Sequence, residues 1–141
     1  MTFESVTRKF TTRGLRLDDV RRYLDAGGDI CRRDQETGWS LLHFAAEDGN
    51  PEVIRFLAAR GADRDVADRN GCTPLHLAVD RDMDTSSRGG RRARELPTVQ
   101  TLIDVGAEEN VRSANGATPR DMAVAYGQEA LYDSLLRPKS A

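Results

Sequence analysis

The sequence has few cysteines, few aromatic residues and no large excess of charge of either sign. Its 141 residues include two cysteines, 6% are aromatic, and the formal net charge is −2 at pH 7. Two cysteines are too few for a disulfide framework and lack metal-ligand spacing, so we expect Cys31 and Cys72 to be buried and reduced. The charge balance provides no basic field for nucleic acid, and we expect no nucleic-acid partner.

Long hydrophobic runs are also absent. The N-terminal residues contain no apolar run of signal-peptide length, and no window approaches a transmembrane span. We therefore expect a soluble, cytoplasmic protein without membrane contact. An apolar fraction of 38% beside 31% charged residues favours a thin, elongated single domain over a compact enzyme, and the chain is long enough to form a core.

A repeated segment is the main feature that the sequence does contain. Residues 70–80 read NGCTPLHLAVD, and residues 37–63 read TGWSLLHFAAEDGNPEVIRFLAARGAD. His43 and His76 occupy matching places in the two segments, 33 residues apart. A fixed period of this length is typical of a solenoid, in which small helical units stack on one another.

A third copy of the segment follows after a longer interval. Residues 115–136 read NGATPRDMAVAYGQEALYDSLL, and Gly116 lies 45 residues after Gly71. The excess over the period predicts an insertion, which we place at residues 81–96. Since residues 81–95 carry five arginines, three acidic residues and two adjacent glycines, two interpretations remain open: a tolerated, poorly ordered surface loop, or a basic finger that contacts a partner.

A degenerate copy precedes the others. Residues 17–30 read LDDVRRYLDAGGDI, and Gly27 lies 34 residues before Gly61. This spacing is one residue longer than the period. We place the additional residue in the turn at residues 34–38.

Each copy has the signals of two short helices. Thr73 is a helix N-cap and Pro74 a first helical residue, where a missing N–H costs nothing. Gly49 and Gly61 are suited to end the first and second helices of one copy, in the left-handed conformation. The predicted helices cover residues 40–46, 51–58, 73–80, 97–104, 118–125 and 128–136.

With these motifs the sequence resembles the ankyrin repeat, over roughly residues 15–136. The resemblance implies an all-α solenoid of four helix-pair repeats joined by β-turn fingers, with the insertion in the third repeat. The approximate repeats are residues 1–33, 34–67, 68–112 and 113–137. Two departures stand out: Ser40-Leu41 replaces Thr-Pro in the second repeat, and Arg120-Asp121 replaces Leu-His in the fourth. The polar pair suits a terminal repeat with one face in water.

The two histidines are interpreted as structural residues. The resemblance implies that His43 and His76 brace neighbouring turns by hydrogen bonding, which leaves no histidine for a nucleophilic or metal site. Asp80, Asp82 and Asp84 alternate along the chain but lack the glycine and glutamate of a calcium loop. We expect no catalytic residue, no cofactor and no metal site.

The resemblance places a binding surface on the turn tips and the concave side of the first helices. Trp39 is the only tryptophan and is the strongest candidate for a contact residue, although it could instead fold over the neighbouring turn. The acidic groove at Glu47, Asp48 and Asp80 has two open interpretations: it meets a basic patch on a partner, or it is an ordinary solvated face. The candidate contact residues are Arg33, Glu36, Trp39, Glu47, Asp48, Arg69, Asn70, Asp80, Arg81, Arg112, Asn115 and Tyr126.

These features predict a non-catalytic module that binds one protein partner and is a monomer when unbound. Arginine greatly outnumbers lysine among the basic residues, which suits a GC-rich bacterial genome. An inhibitory or toxin-neutralising (immunity) role is a narrower hypothesis. The alternative is an enzyme or small-molecule-binding protein that uses the concave groove near Trp39. An enclosed apolar pocket beneath Trp39 would favour that alternative.

Overall fold

Eight helices form the part of the chain that the structure, a computed structural model, describes: residues 2–8, 14–87 and 96–136. They are α1 Phe3–Arg8, α2 Leu17–Asp25, α3 Leu41–Asp48, α4 Pro51–Ala59, α5 Pro74–Ser87, α6 Pro97–Asp104, α7 Pro119–Ala125 and α8 Glu129–Leu135. Consecutive helices pack in pairs, and each pair packs on the next. Within these ranges there is no strand, so the predicted all-α solenoid is confirmed.

The predicted helix starts follow the capping residues of the sequence. Ser40 accepts a hydrogen bond from the backbone N–H of His43 at the start of α3, and Asn50 accepts one from Val53 at the start of α4. Thr118 does the same for α7. Side-chain oxygens at these positions satisfy donors that have no partner inside the helix. Proline is the first residue of four helices: Pro51, Pro74, Pro97 and Pro119.

The turns between pairs share one hydrogen-bonding pattern. The closing backbone bonds run from Asp34 N to Trp39 O, from Asp68 N to Cys72 O and from Ser113 N to Ala117 O, at 2.8, 2.9 and 2.8 Å. The first turn contains one residue more than the other two. The additional residue predicted within 34–38 is therefore confirmed.

Adjacent turn tips are joined to each other by backbone hydrogen bonds. Arg69 N donates to Thr37 O at 3.1 Å, and Ala114 N donates to Asn70 O at 2.8 Å. The contact is close: at Gly71, which has a φ of +73°, a Cβ would lie 2.7 Å from Ala114 N. Only glycine fits there, because both the positive φ and the neighbouring backbone exclude a side chain.

The core runs between the helix pairs. Leu42 and Leu75 on the inner helices and Ile54, Leu57 and Leu102 on the outer helices are all buried. Small residues allow the inner helices to approach closely, since Ala45, Ala46, Ala78 and Ala123 are fully buried. Neither helix of a pair could cover its apolar face alone, so stacking supplies most of the burial.

The predicted end of α5 is wrong. The sequence places residues 81–96 in a surface insertion, but α5 continues to Ser87. Met83 is fully buried, and the buried Asp82 accepts hydrogen bonds from Thr98 N and Val99 N, both at 3.0 Å. The first part of the proposed insertion is therefore helical and packed, whereas residues 88–95 lie outside the described residues.

The expectation that both cysteines are buried is also wrong. Cys31 is exposed and Cys72 is half-buried, and neither forms a disulfide. Cys31 belongs to a surface turn in which its backbone N–H donates to Asp29 Oδ1 at 2.8 Å.

Among the described residues, no helix is long and apolar enough to cross a membrane.

Candidate functional site

His43 is part of the framework of the turns. Its Nδ1 lies 3.1 Å from the backbone N of Ser40, and its Nε2 lies 2.8 Å from the carbonyl oxygen of Cys72 in the next turn. Because a backbone N–H can only donate, Nδ1 is the unprotonated nitrogen and Nε2–H donates to the carbonyl. Burial lowers the pKa of His43, which keeps the ring neutral.

His76 repeats this arrangement one unit later. Its Nδ1 lies 3.1 Å from the backbone N of Thr73, and its Nε2 lies 2.9 Å from the carbonyl oxygen of Ala117. The ring is fully buried, and burial lowers its pKa. Both histidines thus use both ring nitrogens to join a helix start to the following turn, which confirms the bracing role inferred from the resemblance.

Four of the predicted contact residues come together on the inner helices. Arg81 on α5 donates from Nη1 to the backbone oxygen of Glu47 on α3, at 2.8 Å. Tyr126, which directly follows α7, donates its hydroxyl proton to Asp80 Oδ1 at 2.7 Å. We call Glu47, Asp80, Arg81 and Tyr126 the inner-helix cluster. It spans three consecutive helix pairs and links each to the next.

The cluster has a negative electrostatic character around Glu47. Burial raises the pKa of this half-buried carboxyl, the charge of Asp80 raises it further, and Arg81 opposes the shift. Asp80 itself is exposed. Keeping a half-buried carboxylate ionised beside a second one costs free energy, because each negative charge disfavours ionisation of the other group.

Asp48 is not part of this cluster. Its Oδ2 accepts a hydrogen bond from the backbone N of Leu15 at 3.2 Å, on the side of the first helix pair. Asn50 donates to the backbone oxygen of the same Leu15 at 3.0 Å. The two side chains therefore fix the segment that precedes α2, although Asp48 neighbours Glu47 in the sequence.

Trp39 is half-buried and packs within the protein. Its ring stacks on His43 with 6.5 Å between centroids, and it meets Phe44 edge-on at 5.1 Å. The indole N–H donates to Asp68 Oδ2 at 3.1 Å. These contacts match the alternative in which Trp39 folds over the neighbouring turn. Because Trp39 is only half-buried, part of its surface stays accessible to a partner.

The arginines of the turn tips bind the neighbouring tips. Arg33 donates from Nε to Gly38 O at 3.1 Å and also bonds the backbone oxygen of Ala67. Arg69 bonds the backbone oxygen of Gln35. The guanidinium groups thereby satisfy carbonyl oxygens of the turns.

The remaining predicted contact residues are exposed at the tips and belong to local turns. Glu36 and Asn70 donate from the backbone to Asp34 Oδ2 at 3.2 Å and Asp68 Oδ1 at 2.8 Å. Arg112 Nη1 donates to Gly116 O at 2.9 Å, and Asn115 Oδ1 accepts from Ala117 N at 3.3 Å. The tips and the inner-helix cluster are separate groups in the contacts described.

Asp68 is a residue that the sequence analysis missed. It is buried, and its two carboxylate oxygens accept from Trp39 Nε1, Asn70 N and Cys72 N. The signal was present in the sequence, because an aspartate two residues before Asn-Gly commonly bonds the backbone of its own turn. Asp68 therefore joins the second turn to the tryptophan of the first.

Comparison with protein families identifies the architecture. The family model described as "Ankyrin repeats (3 copies)" matches residues 12–86, more than half of the chain. The chain belongs to the ankyrin-repeat family. A single "Ankyrin repeat" model also matches residues 70–114.

Several named proteins are similar to this ankyrin-repeat chain. "Protein phosphatase 1 regulatory subunit 27" of Mus musculus is 46% identical over 61 residues, which is 43% of this chain and 39% of that protein. "SH3 and multiple ankyrin repeat domains protein 1" of Homo sapiens is 35% identical over 103 residues, 72% of this chain and 4% of that protein. "Putative ankyrin repeat protein FPV223" of fowlpox virus is 30% identical over 118 residues, 70% of this chain and 84% of that protein.

The relatives support a role in protein–protein interaction. One is named as a regulatory subunit and another as a protein with multiple ankyrin domains. The ankyrin-repeat chain spans about two fifths of the phosphatase subunit's length. Nothing in these names assigns a partner to this chain.

Proposed function

We propose that this protein docks a single protein partner, without catalysis, through its turn tips and the concave side of its inner helices. The observation that carries the proposal is the inner-helix cluster. The side chains of Arg81 and Tyr126 bridge three successive helix pairs there, since Arg81 donates to the backbone oxygen of Glu47 and Tyr126 to the carboxylate of Asp80. A preorganised surface loses less entropy on binding than one that must first become ordered.

The charge of the cluster favours a basic patch on the partner. The Glu47 carboxyl is half-buried beside Asp80, and both effects raise its pKa. A lysine or arginine of the partner would relieve this repulsion and replace lost hydration. Such charges act mainly on the rate of encounter and on the choice of partner.

The partner is first identified by cross-linking in the native host and then purified without cross-linker. Surface plasmon resonance measures its association rate with this protein. Asp80→Lys should slow association, and the effect should shrink at high salt because ions screen the field. Asp25→Lys is the matched control. It makes the same change in charge at the end of α2, on an exposed residue that pairs with Arg60 at 3.4 Å. Equal effects of the two substitutions would overturn the assignment of this face.

The contacts of Trp39 argue against the alternative of a ligand site beneath its ring, because the rings of His43 and Phe44 pack against it. Inhibition or neutralisation of the partner remains a narrower prediction, as do the bacterial source, the cytoplasmic location and the monomeric state. An activity assay of the purified partner, with and without this protein, tests inhibition.

A further inference from the structure

Each of the three turn tips carries an exposed arginine. Arg33 and Arg112 hold the same position in the first and third turns, because each donates to the carbonyl oxygen of the glycine in its own turn, Gly38 or Gly116. Arg69 lies in the turn between them, and all three residues are exposed. We call Arg33, Arg69 and Arg112 the tip arginines.

The hydrogen bonds of the tip arginines go to backbone carbonyl oxygens. Arg33 uses two of its five N–H donors in this way, and Arg69 and Arg112 use one each. In the part of the chain that the structure describes, none of the three forms an ion pair with a carboxylate. Each guanidinium group therefore keeps donors and a positive charge for an acceptor from outside the protein.

The carboxylates of the same turns are mostly engaged in their own turns. Asp68 is buried and accepts from three N–H groups. Asp34 accepts from the backbone N and the hydroxyl of Thr37 at 2.9 and 2.8 Å. The Thr37 N–H holds the pKa of Asp34 below its usual value, and the charge of Arg69 contributes to this shift. Within these described turns, Glu36 is the exposed acidic residue, so the exposed charge of the tips is positive.

The spacing of the tip arginines matches an extended peptide. Packed helices lie about 8–10 Å apart, so Arg33 and Arg112, two units apart, are separated by roughly 20 Å along the stack. A polyproline II chain advances about 3.1 Å per residue with three residues per turn. Every third side chain of such a chain faces the same side, at intervals of about 9 Å.

We propose that the partner lays an extended acidic segment along the tip arginines, with a carboxylate at about every third residue. Guanidinium groups suit carboxylates because their paired N–H donors match the two oxygens. The inference rests on the proposed docking function, and it adds an acidic segment to the basic patch that meets the inner-helix cluster. A nucleic acid fits less well, since phosphates of a duplex strand recur about every 3.4 Å and the net charge of −2 repels a polyanion.

Two fluorescein-labelled peptides of identical composition test the spacing. EPPEPPE favours the polyproline II conformation and separates its glutamates by three positions, whereas PPEEEPP groups the same charges together. Fluorescence anisotropy at low ionic strength measures the affinity of each peptide for the full-length protein. We expect EPPEPPE to bind about fivefold more tightly, because only its carboxylates reach successive arginines. Equal affinities, or no saturable binding of EPPEPPE, would overturn the proposal.

Substitutions then locate the peptide. Arg69→Gln and Arg112→Gln should each weaken binding of EPPEPPE about threefold, and Glu36→Gln should strengthen it by removing the exposed negative charge. Arg55→Gln is the matched control, because it removes the same charge from an exposed residue of α4. This control should leave the affinity unchanged. If it weakens binding as much as the tip substitutions do, net charge explains the effect and the proposal is wrong.

Two further arms complete the experiment. Where circular dichroism shows that Arg69→Gln disturbs the fold, Arg69→Lys replaces it. The lysine keeps the charge but lacks the paired donors, so it should weaken binding about twofold. An oligothymidylate of seven nucleotides that binds more tightly than EPPEPPE would overturn the proposal in favour of a nucleic acid. Because these measurements use only the free protein and peptides, a negative result leaves the Asp80 experiment on the docking face unaffected.

Discussion

At the scale of single residues, Asp68 and Trp39 show how one hydrogen bond can connect two turns. The carboxylate of Asp68 organises its own turn through two backbone N–H groups and reaches the preceding turn through the indole N–H. A buried carboxylate is tolerated here because three donors replace its hydration. The tryptophan is therefore as much a framework residue as a candidate contact residue.

The tryptophan contacts lead to a stability prediction. Trp39→Ala should lower the free energy of unfolding by about 2 kcal/mol, since half of a large ring and one hydrogen bond are lost. Trp39→Phe retains the ring stacking and should cost only about 1 kcal/mol, the value of a hydrogen bond. Urea denaturation followed by circular dichroism measures both. If the alanine variant were as stable as the wild type, the ring would serve only as a contact residue.

At the scale of elements, prolines at helix starts and glycines after helix ends made most helix limits predictable. The predicted helices at 51–58 and 97–104 agree closely with Pro51–Ala59 and Pro97–Asp104. In each case a proline fixes the start and a glycine follows the end. These helix limits are therefore set by residues next to them in the sequence. The candidate site was predictable only as a set of positions, because which side chains bond one another depends on how the pairs stack.

The sequence predicts no helix limits for α1 or α2, and it misses the extension of α5; α1 and this extension escape prediction for different physical reasons. Helix α1 has six residues, too few for a periodic pattern, and is held by Phe3 packing on Tyr23 and Phe44. The extension of α5 depends on Asp82, which caps α6 from 16 residues away, a contact that no local signal reveals. Met83 does continue the apolar spacing of Val79, but the serines and glycines after it resemble a linker.

The long-range cap of α6 can be tested by paired substitutions. Asp82→Ala should destabilise the fold by about 1–3 kcal/mol, because two buried backbone N–H groups lose their acceptor. Asp82→Asn keeps an acceptor oxygen and removes a buried charge, and burial raises the pKa of this carboxyl. The asparagine variant should therefore be close to wild type in thermal unfolding at pH 7. Equal losses in both variants would show that the charge, not the acceptor, holds α6.

At the scale of the whole molecule, stability is a sum of nearly equivalent junctions between neighbouring pairs. Each described junction between turns contains backbone bonds between the tips, and the junctions after α3 and α5 also contain a neutral histidine. In a solenoid such nearest-neighbour terms decide whether the array unfolds as one unit. Weakening both histidine junctions at once should therefore affect the entire protein.

Acidification provides that perturbation. Burial lowers the pKa of His43 and His76 below 6.5, so the unfolded chain takes up protons more readily than the folded one. The free energy of unfolding therefore includes the full contribution of the two neutral rings above about pH 6.5. This contribution falls as the pH decreases towards the folded-state pKa values, by up to about 1.4 kcal/mol per pH unit for each histidine. Among the described residues, three carboxyls have a raised pKa and act in the opposite direction, with an effect that grows at lower pH: Glu47, Asp82 and Glu109.

We therefore expect the melting temperature to decrease between pH 7.5 and 5.5. Calorimetry of the wild type and of His76→Gln separates the contributions, because glutamine does not titrate in this range. The variant should be less stable at pH 7.5 but should show a smaller loss on acidification, since one buried group no longer takes up a proton on unfolding. A variant whose melting temperature falls as steeply as that of the wild type would contradict this expectation. It would show that His76 takes up a proton as readily in the folded chain as in the unfolded chain, so that burial does not hold the ring neutral.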